Sequence, residues 1–221
     1  MLTALKIRLF FLLEIIMKRM LFTILTLVLG QNLNASLNQY LHPSDKRYAS
    51  FELAKKLIKD RELTLWVETG TARNGATNCV GDGCSTIIYS DFLKEMKGKL
   101  YSVDIDPKAI ALASKALKNS REHIYFNVGD SIQFLISFEN RIDFLYLDSY
   151  DFDFNNPHPS QYHHLKEIEA AYDKLHDQSV VMIDDCDLPH GGKGTLAIKY
   201  LLDRGWSIVY KGYQVILVKN V

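Results

Sequence analysis

The chain has 221 residues, 48% of them hydrophobic, which suits one medium-sized α/β domain with a short N-terminal addition. Its 26 basic and 26 acidic residues cancel, so no bulk electrostatic attraction favours nucleic acid as a partner. Three cysteines (Cys79, Cys84, Cys186) are too few and too irregular for a disulfide framework or a zinc knuckle, leaving free thiols or one optional Cys79–Cys84 bridge.

Residues 1–40 differ in kind from the rest. The apolar stretch Ile7 to Gly30 is broken by Glu14 and the Lys18-Arg19 pair, short of the roughly 20 uninterrupted apolar residues of a membrane-spanning helix. Read from Met17, it has the parts of a secretory signal: a basic Met17-Lys18-Arg19-Met20, an apolar Leu21 to Gly30, and the small residue Ala35. The expectation is that Met17 is the true start, or that residues 17–35 form an export signal or uncleaved anchor. Any membrane contact is then confined to residues 1–35. The alternative is an amphipathic helix packed on a cytoplasmic domain. The domain itself runs from 41 to 221.

From Ser44 onward, strands and helices alternate. Residues 44–60 carry helical apolar spacing behind Ser44 or Asp45 as N-cap. Leu63–Glu68 reads as a strand, followed by a Gly/Asn-rich loop to Cys84 and a helix capped by Ser85 that reaches Lys97. Lys99–Asp104 is a strand, and Pro107 opens a helix to about Lys118, as a proline at the first helical position does. His123–Val128 is strand, Ser131–Phe138 helix, Ile142–Asp148 strand, His163–Leu175 helix, Ser179–Asp184 strand and Gly194–Arg204 helix. The closing WSIVYKGYQVILVK holds two β runs around Gly212 with no room for a helix, so they pair antiparallel. The expected fold is α/β: a doubly wound, mostly parallel, seven-stranded sheet with a C-terminal antiparallel hairpin.

Apolar runs that end in carboxylates are the main chemical signal: Glu68, Asp104 and Asp106, Asp148, and Asp184-Asp185. Continuous apolar strands belong to parallel sheets buried on both faces, and their carboxyl ends line the edge where open α/β sheets bind ligands. Behind Glu68 come Gly70 and, later, Gly81-Asp82-Gly83-Cys84-Ser85-Thr86; glycines admit a ligand to the backbone, and a helix N-terminus favours negative charge. Asp104 is placed to accept both hydroxyls of a ribose. Asp130-Ser131 can hold an adenine edge, although an Asp there also caps the following helix.

In this order and spacing, the stretch from Leu63 to Lys219 resembles class I S-adenosylmethionine-dependent methyltransferases. It looks closest to the metal-dependent O-methyltransferases, the group that includes catechol and macrolide-sugar enzymes. Glu68, Gly70, Gly83 and Ser85 match the family's motif for the methionine part of the cofactor. Asp104 matches its ribose-binding acid, and Asp130 and Ser131 its adenine-edge residues. The resemblance implies a Rossmann-like methyltransferase fold. The segment Ala72 to Val80 interrupts the family's glycine motif, leaving Gly70 as the glycine expected beneath the cofactor.

Asp148, Asp184 and Asp185 converge with no basic partner in sequence reach, which suggests a hard cation such as Mg2+ or Mn2+ held by oxygen ligands. The resembled family binds such a metal with acids at these positions and uses it to activate a substrate hydroxyl. The lysine that catechol-type members place three residues after the first ligand is Asp151 here. His164, then His163, are the expected proton acceptors, read as opening the helix beside the Asp148 strand. The expected activity is therefore metal-assisted O-methylation of a small, sugar-like or phenolic molecule.

Two other readings stay open. Gly81–Thr86 approximates a dinucleotide fingerprint, with Thr86 where the third glycine belongs, and points to a NAD-dependent oxidoreductase. A binding protein that kept the fold without catalysis is the second. Gly191-Gly192-Lys193-Gly194 imitates a phosphate loop but lacks its spacing, and reads as a flexible helix lead-in that can touch substrate.

Overall fold

The computed structural model describes residues 37–118 and 122–219. Residues 40–221 form one compact unit. The expected leader or anchor, including Met17 and the segment 17–35, lies outside the described residues. Among the described residues, no helix is long and apolar enough to cross a membrane.

The domain runs α1 (Tyr48–Asp60), β1 (Leu65–Thr69), α2 (Ser85–Glu95), β2 (Lys99–Asp104), α3 (Pro107–Ala116), β3 (Ile124–Val128), α4 (Ser131–Ser137), β4 (Ile142–Leu147), α5 (His158–Ala171), β5 (Leu175–Ile183), α6 (Thr195–Leu202), β6 (Trp206–Lys211) and β7 (Val215–Lys219). The strands form a seven-stranded sheet in the order β3-β2-β1-β4-β5-β7-β6. The first five in sequence are parallel, while β7 runs antiparallel to both β5 and β6. This is the doubly wound sheet with closing hairpin that the strand–helix alternation calls for.

Side chains alternate across the strands, so each face has its own core. Val67, Leu145, Val181 and Leu217 face Leu135, Ile168, Ala197 and Leu201 of α4, α5 and α6. The other face is aromatic. Tyr89 of α2 meets Phe51, Trp66, Phe144 and Tyr146 edge-to-face at centroid distances of 5.7, 6.4, 5.3 and 5.5 Å, the geometry that the ring quadrupoles favour.

Two boundaries shift with consequence. The helix expected from His163 begins at His158, because Pro159 occupies its first turn, where a missing N–H is harmless. His163 and His164 therefore sit inside the helix instead of opening it. Ser85 does not cap α2; Cys84, in left-handed conformation, holds the N-cap position.

Candidate active site

The ladder carries on past the strand ends. Gly70 N donates to Val103 O at 2.8 Å, Gly129 N to Asp104 O at 2.9 Å, Asp148 N to Thr69 O at 2.9 Å and Asp184 N to Leu147 O at 3.1 Å. These segments leave the sheet side by side along its carboxyl edge. Gly70 lies at the centre with φ +81°, where a side chain would bring Cβ within 2.4 Å of the Asp148 carbonyl oxygen. Only glycine fits such an approach.

On one side of Gly70 is a cavity of about 240 Å³, bounded by Val103, Asp104, Ile105, Asp130 and Ser131. Backbone N–H groups orient the Asp104 carboxylate: Thr71 donates to Oδ2 at 3.1 Å and Asp106 to Oδ1 at 2.8 Å. Asp130 caps α4 by accepting from Gln133 N at 2.8 Å. Ile105, 72% exposed, stands as an apolar wall beside them. A flat glycine floor, an oriented acid and an apolar wall are suited to the ribose and base of a nucleoside. Gly70, Asp104, Asp130 and Ser131 thus line one cavity.

Glu68, Gly83 and Ser85 do not join them. Glu68 is fully buried and takes hydrogen bonds from Ser85 Oγ, from Thr86 Oγ1 at 2.7 Å and from Ser102 Oγ at 2.8 Å. Burial pushes its carboxyl up to about 7 even though those hydroxyls favour the charged form. Glu68 is the anchor of α2 against the sheet, Ser85 is spent on holding it, and Gly83 packs beside the Arg47 side chain.

On the other side of Gly70, a cavity of about 220 Å³ is bounded by Thr71, Arg73, Asp82, Asp148 and Asp151. It shares Gly70, Asp104, Ile105 and Ser149 with the first, so the two form one groove. Arg73 pairs with Asp151 through both guanidinium nitrogens, at 2.7 and 3.0 Å. Behind this wall a disulfide joins Cys79 to Cys84, closing the turn that precedes α2. Such a bridge persists in oxidising surroundings.

The three remaining acids have cationic partners. Lys193 Nζ lies 2.7 Å from Asp148 Oδ1 and 2.9 Å from Asp185 Oδ2. Arg47 Nε lies 3.1 Å from Asp184 Oδ2, and Arg47 Nη2 is 3.7 Å from Asp185 Oδ1. Both cations are buried, Lys193 to 1% side-chain exposure and Arg47 to 4%. Neighbouring carboxylates hold both cations well above their ordinary values against the pull of burial. Burial, with Asp184 and Asp185 adding to it, pushes Asp148 up to about 8, although Lys193 opposes the rise. The donor set does not fit a divalent ion, because an ammonium already bridges Asp148 and Asp185. Among the described residues, no His, Cys, Asp and Glu side chains are grouped to hold a metal. The Mg2+ or Mn2+ reading of Asp148, Asp184 and Asp185 is corrected accordingly. Its premise, that no base reaches these acids, fails because Arg47 is brought in from the start of α1 and Lys193 from a folded-back loop.

The histidines are corrected as well. His164 is fully buried, with Nδ1 bound to Ser160 O at 2.7 Å. Burial lowers it to about 4, and no substrate can reach it. His163 borders the first cavity, where Nε2 lies 3.0 Å from Ser131 Oγ and 3.4 Å from Glu167 Oε1. Hydrogen bonding and attraction to buried Glu167 raise His163 despite its own desolvation. It lines the first cavity and does not border the second, where Asp148 lies. Arg47, Glu167 and the role of Lys193 escape sequence reasoning. The one available clue was the Gly191–Gly194 run, which places a lysine where the backbone turns tightly.

A family model described as a methyltransferase domain matches residues 80–186. No curated protein matches the chain. Among solved structures, the SAH-bound methyltransferase PaMTH1 of Podospora anserina is 13% identical over 78% of this chain and 78% of its own, with a TM-score of 0.56. The O-methyltransferase of Bacillus cereus, in complex with SAH, is 15% identical over 86% of this chain and 88% of its own, at 0.55. An rRNA methylase of Streptococcus thermophilus is 15% identical over 76% of this chain and 95% of its own, at 0.52. At these identities the likeness establishes the fold, which is the Rossmann-like methyltransferase fold.

Proposed function

We propose that this chain is an S-adenosylmethionine-dependent methyltransferase acting on a hydroxyl of a small polar molecule. The observation that carries the reading is the single groove in which Asp104 and Asp148 flank Gly70 from opposite sides. When bound, the cofactor supplies an electrophilic methyl group on a sulfonium centre. Asp104, already oriented by Thr71 and Asp106, would accept the ribose hydroxyls, with Asp130 and Ser131 at the base edge and Gly70 beneath. Lys193 engages Asp148 Oδ1, and among the described residues Oδ2 has no such partner. Asp148 is therefore the group that can accept the acceptor's proton, and a proton affinity raised towards neutrality suits a general base.

The acceptor cavity also speaks about substrate class. Asp82, Asp104, Asp106, Asp148 and Asp151 line it, with Arg73 the one cation among the described lining residues. A phosphate backbone would meet repulsion there, so a small neutral polyol or phenol is favoured over RNA.

Calorimetry with SAH and with NAD tests the cofactor: SAH binding without NAD binding is expected, and the reverse would establish an oxidoreductase. Activity is then sought on a panel of sugars and phenols. Turnover should climb as pH rises through about 8, when Asp148 deprotonates, and Asp148→Asn should lose roughly a hundredfold or more. SAH binding with no turnover on any acceptor would favour a non-catalytic binding protein.

A further inference from the structure

Lys193 stands where the pattern of acids calls for a divalent cation. We propose that it is an internal cation, built into the fold to take the electrostatic place of a metal between Asp148 and Asp185 and to position Asp148 at the groove. Its ammonium contacts both carboxylates, at 2.7 and 2.9 Å, from a site at only 1% exposure. The backbone that delivers it is equally constrained. Lys193 N donates to Asp185 O at 3.0 Å, and a Cβ on the preceding Gly192, at φ +61°, would fall 1.8 Å from that same carbonyl oxygen. A Cβ on the following Gly194 would meet Cys186 Sγ at 2.6 Å. Gly192 and Gly194 thus let residues 192–194 lie flat on residues 185–186, with the lysine turned back between the acids.

Charge explains why the lysine excludes a metal. When all three are ionised, Asp148, Asp184 and Asp185 carry three negative charges, while Arg47 and Lys193 return two positive ones. A divalent ion entering this set would share its ligands with an ammonium already in contact with them, and like charges at such separations repel strongly away from water. Without Lys193, the same ion would bring three negative charges against three positive. The prediction is twofold: the native chain neither binds nor needs a divalent cation here, and loss of the ammonium turns the acids into a cation site. The role of Asp148 in catalysis rests on the methyltransferase reading; the competition between lysine and metal does not.

The test is Mn2+ titration of the full chain, followed by electron paramagnetic resonance of the free ion. Native protein should leave the free-ion signal unchanged into the millimolar range. Lys193→Met, which keeps the length and drops the charge, should take up one Mn2+ per chain at least tenfold more tightly, and adding Asp148→Asn should abolish that gain. A change that was only structural would not create a metal site. Native protein that binds Mn2+ and loses it in Asp148→Asn would overturn the proposal, as would a folded Lys193→Met chain with no gain. Should Lys193→Met fail to fold, the native and Asp148→Asn titrations still decide. SAH calorimetry run with Mn2+ and with chelator separates the two readings. Unchanged SAH affinity in both supports an internal cation, whereas no SAH binding at all overturns the methyltransferase reading and leaves the Mn2+ result to judge Lys193.

Discussion

The two sides of the groove hold their acids by different means. On the side proposed for the nucleoside, Asp104 and Asp130 are oriented by backbone N–H groups two or three residues further along, or across the neighbouring β1 turn. On the acceptor side, Asp148 and Asp184 are held by side-chain cations 45 and 137 residues away in sequence. Backbone donors leave an acid open to a ligand and add no net charge. Buried cations remove most of the charge and fix the geometry, but they make the site depend on the whole fold.

That contrast can be broken experimentally. The largest effect is expected from Arg47→Met, which strands Asp184 at 1% exposure without its partner. An unpaired buried charge of this kind costs about 3–5 kcal/mol, to be read from urea unfolding, and a loss under 1 kcal/mol would show that the acceptor side does not rely on remote cations. Asp104→Ala should act oppositely: SAH affinity falls roughly ten- to a hundredfold, the worth of hydrogen bonds to a charged group, with little change in unfolding. The smallest effect concerns His163, whose partner Glu167 lies one helical turn away. His163 is raised in the folded chain from its ordinary 6.5. Its contribution is therefore complete below pH 6.5 and lost as pH climbs through the folded value. For a partly exposed pair it amounts to about 1 kcal/mol or less, and His163→Gln should flatten that decline in thermal unfolding measured across the window.

The same contrast decides what could be read in the sequence. Strands, their order of appearance and the acids at their ends follow from local pattern, as do Asp104 and Asp130, whose partners are also local. Glu68 misled because the sequence does not mark where the ladder stops. Thr69 still pairs with Val103 and Leu147, so Glu68 belongs to the layer beneath and the groove begins at Gly70. His163 and His164 shifted because Pro159 starts its helix a turn early. Arg47 and Lys193 were invisible as partners because their reach depends on the path of distant backbone. A run of uncompensated acids in sequence is thus weak support for a metal until the surrounding cations have been placed.

Gly70 has one more consequence. Its main chain lies directly against that of Asp148, so the ledges at the ends of β1 and β4 touch backbone to backbone. Side-chain replacement in the loops around the groove can reshape what is admitted to it. It cannot widen the gap between these ledges, because no side chain sets that gap. On the proposed methyltransferase reading, acceptor choice is the adjustable property of this fold, and the span between donor and acceptor is its fixed gauge.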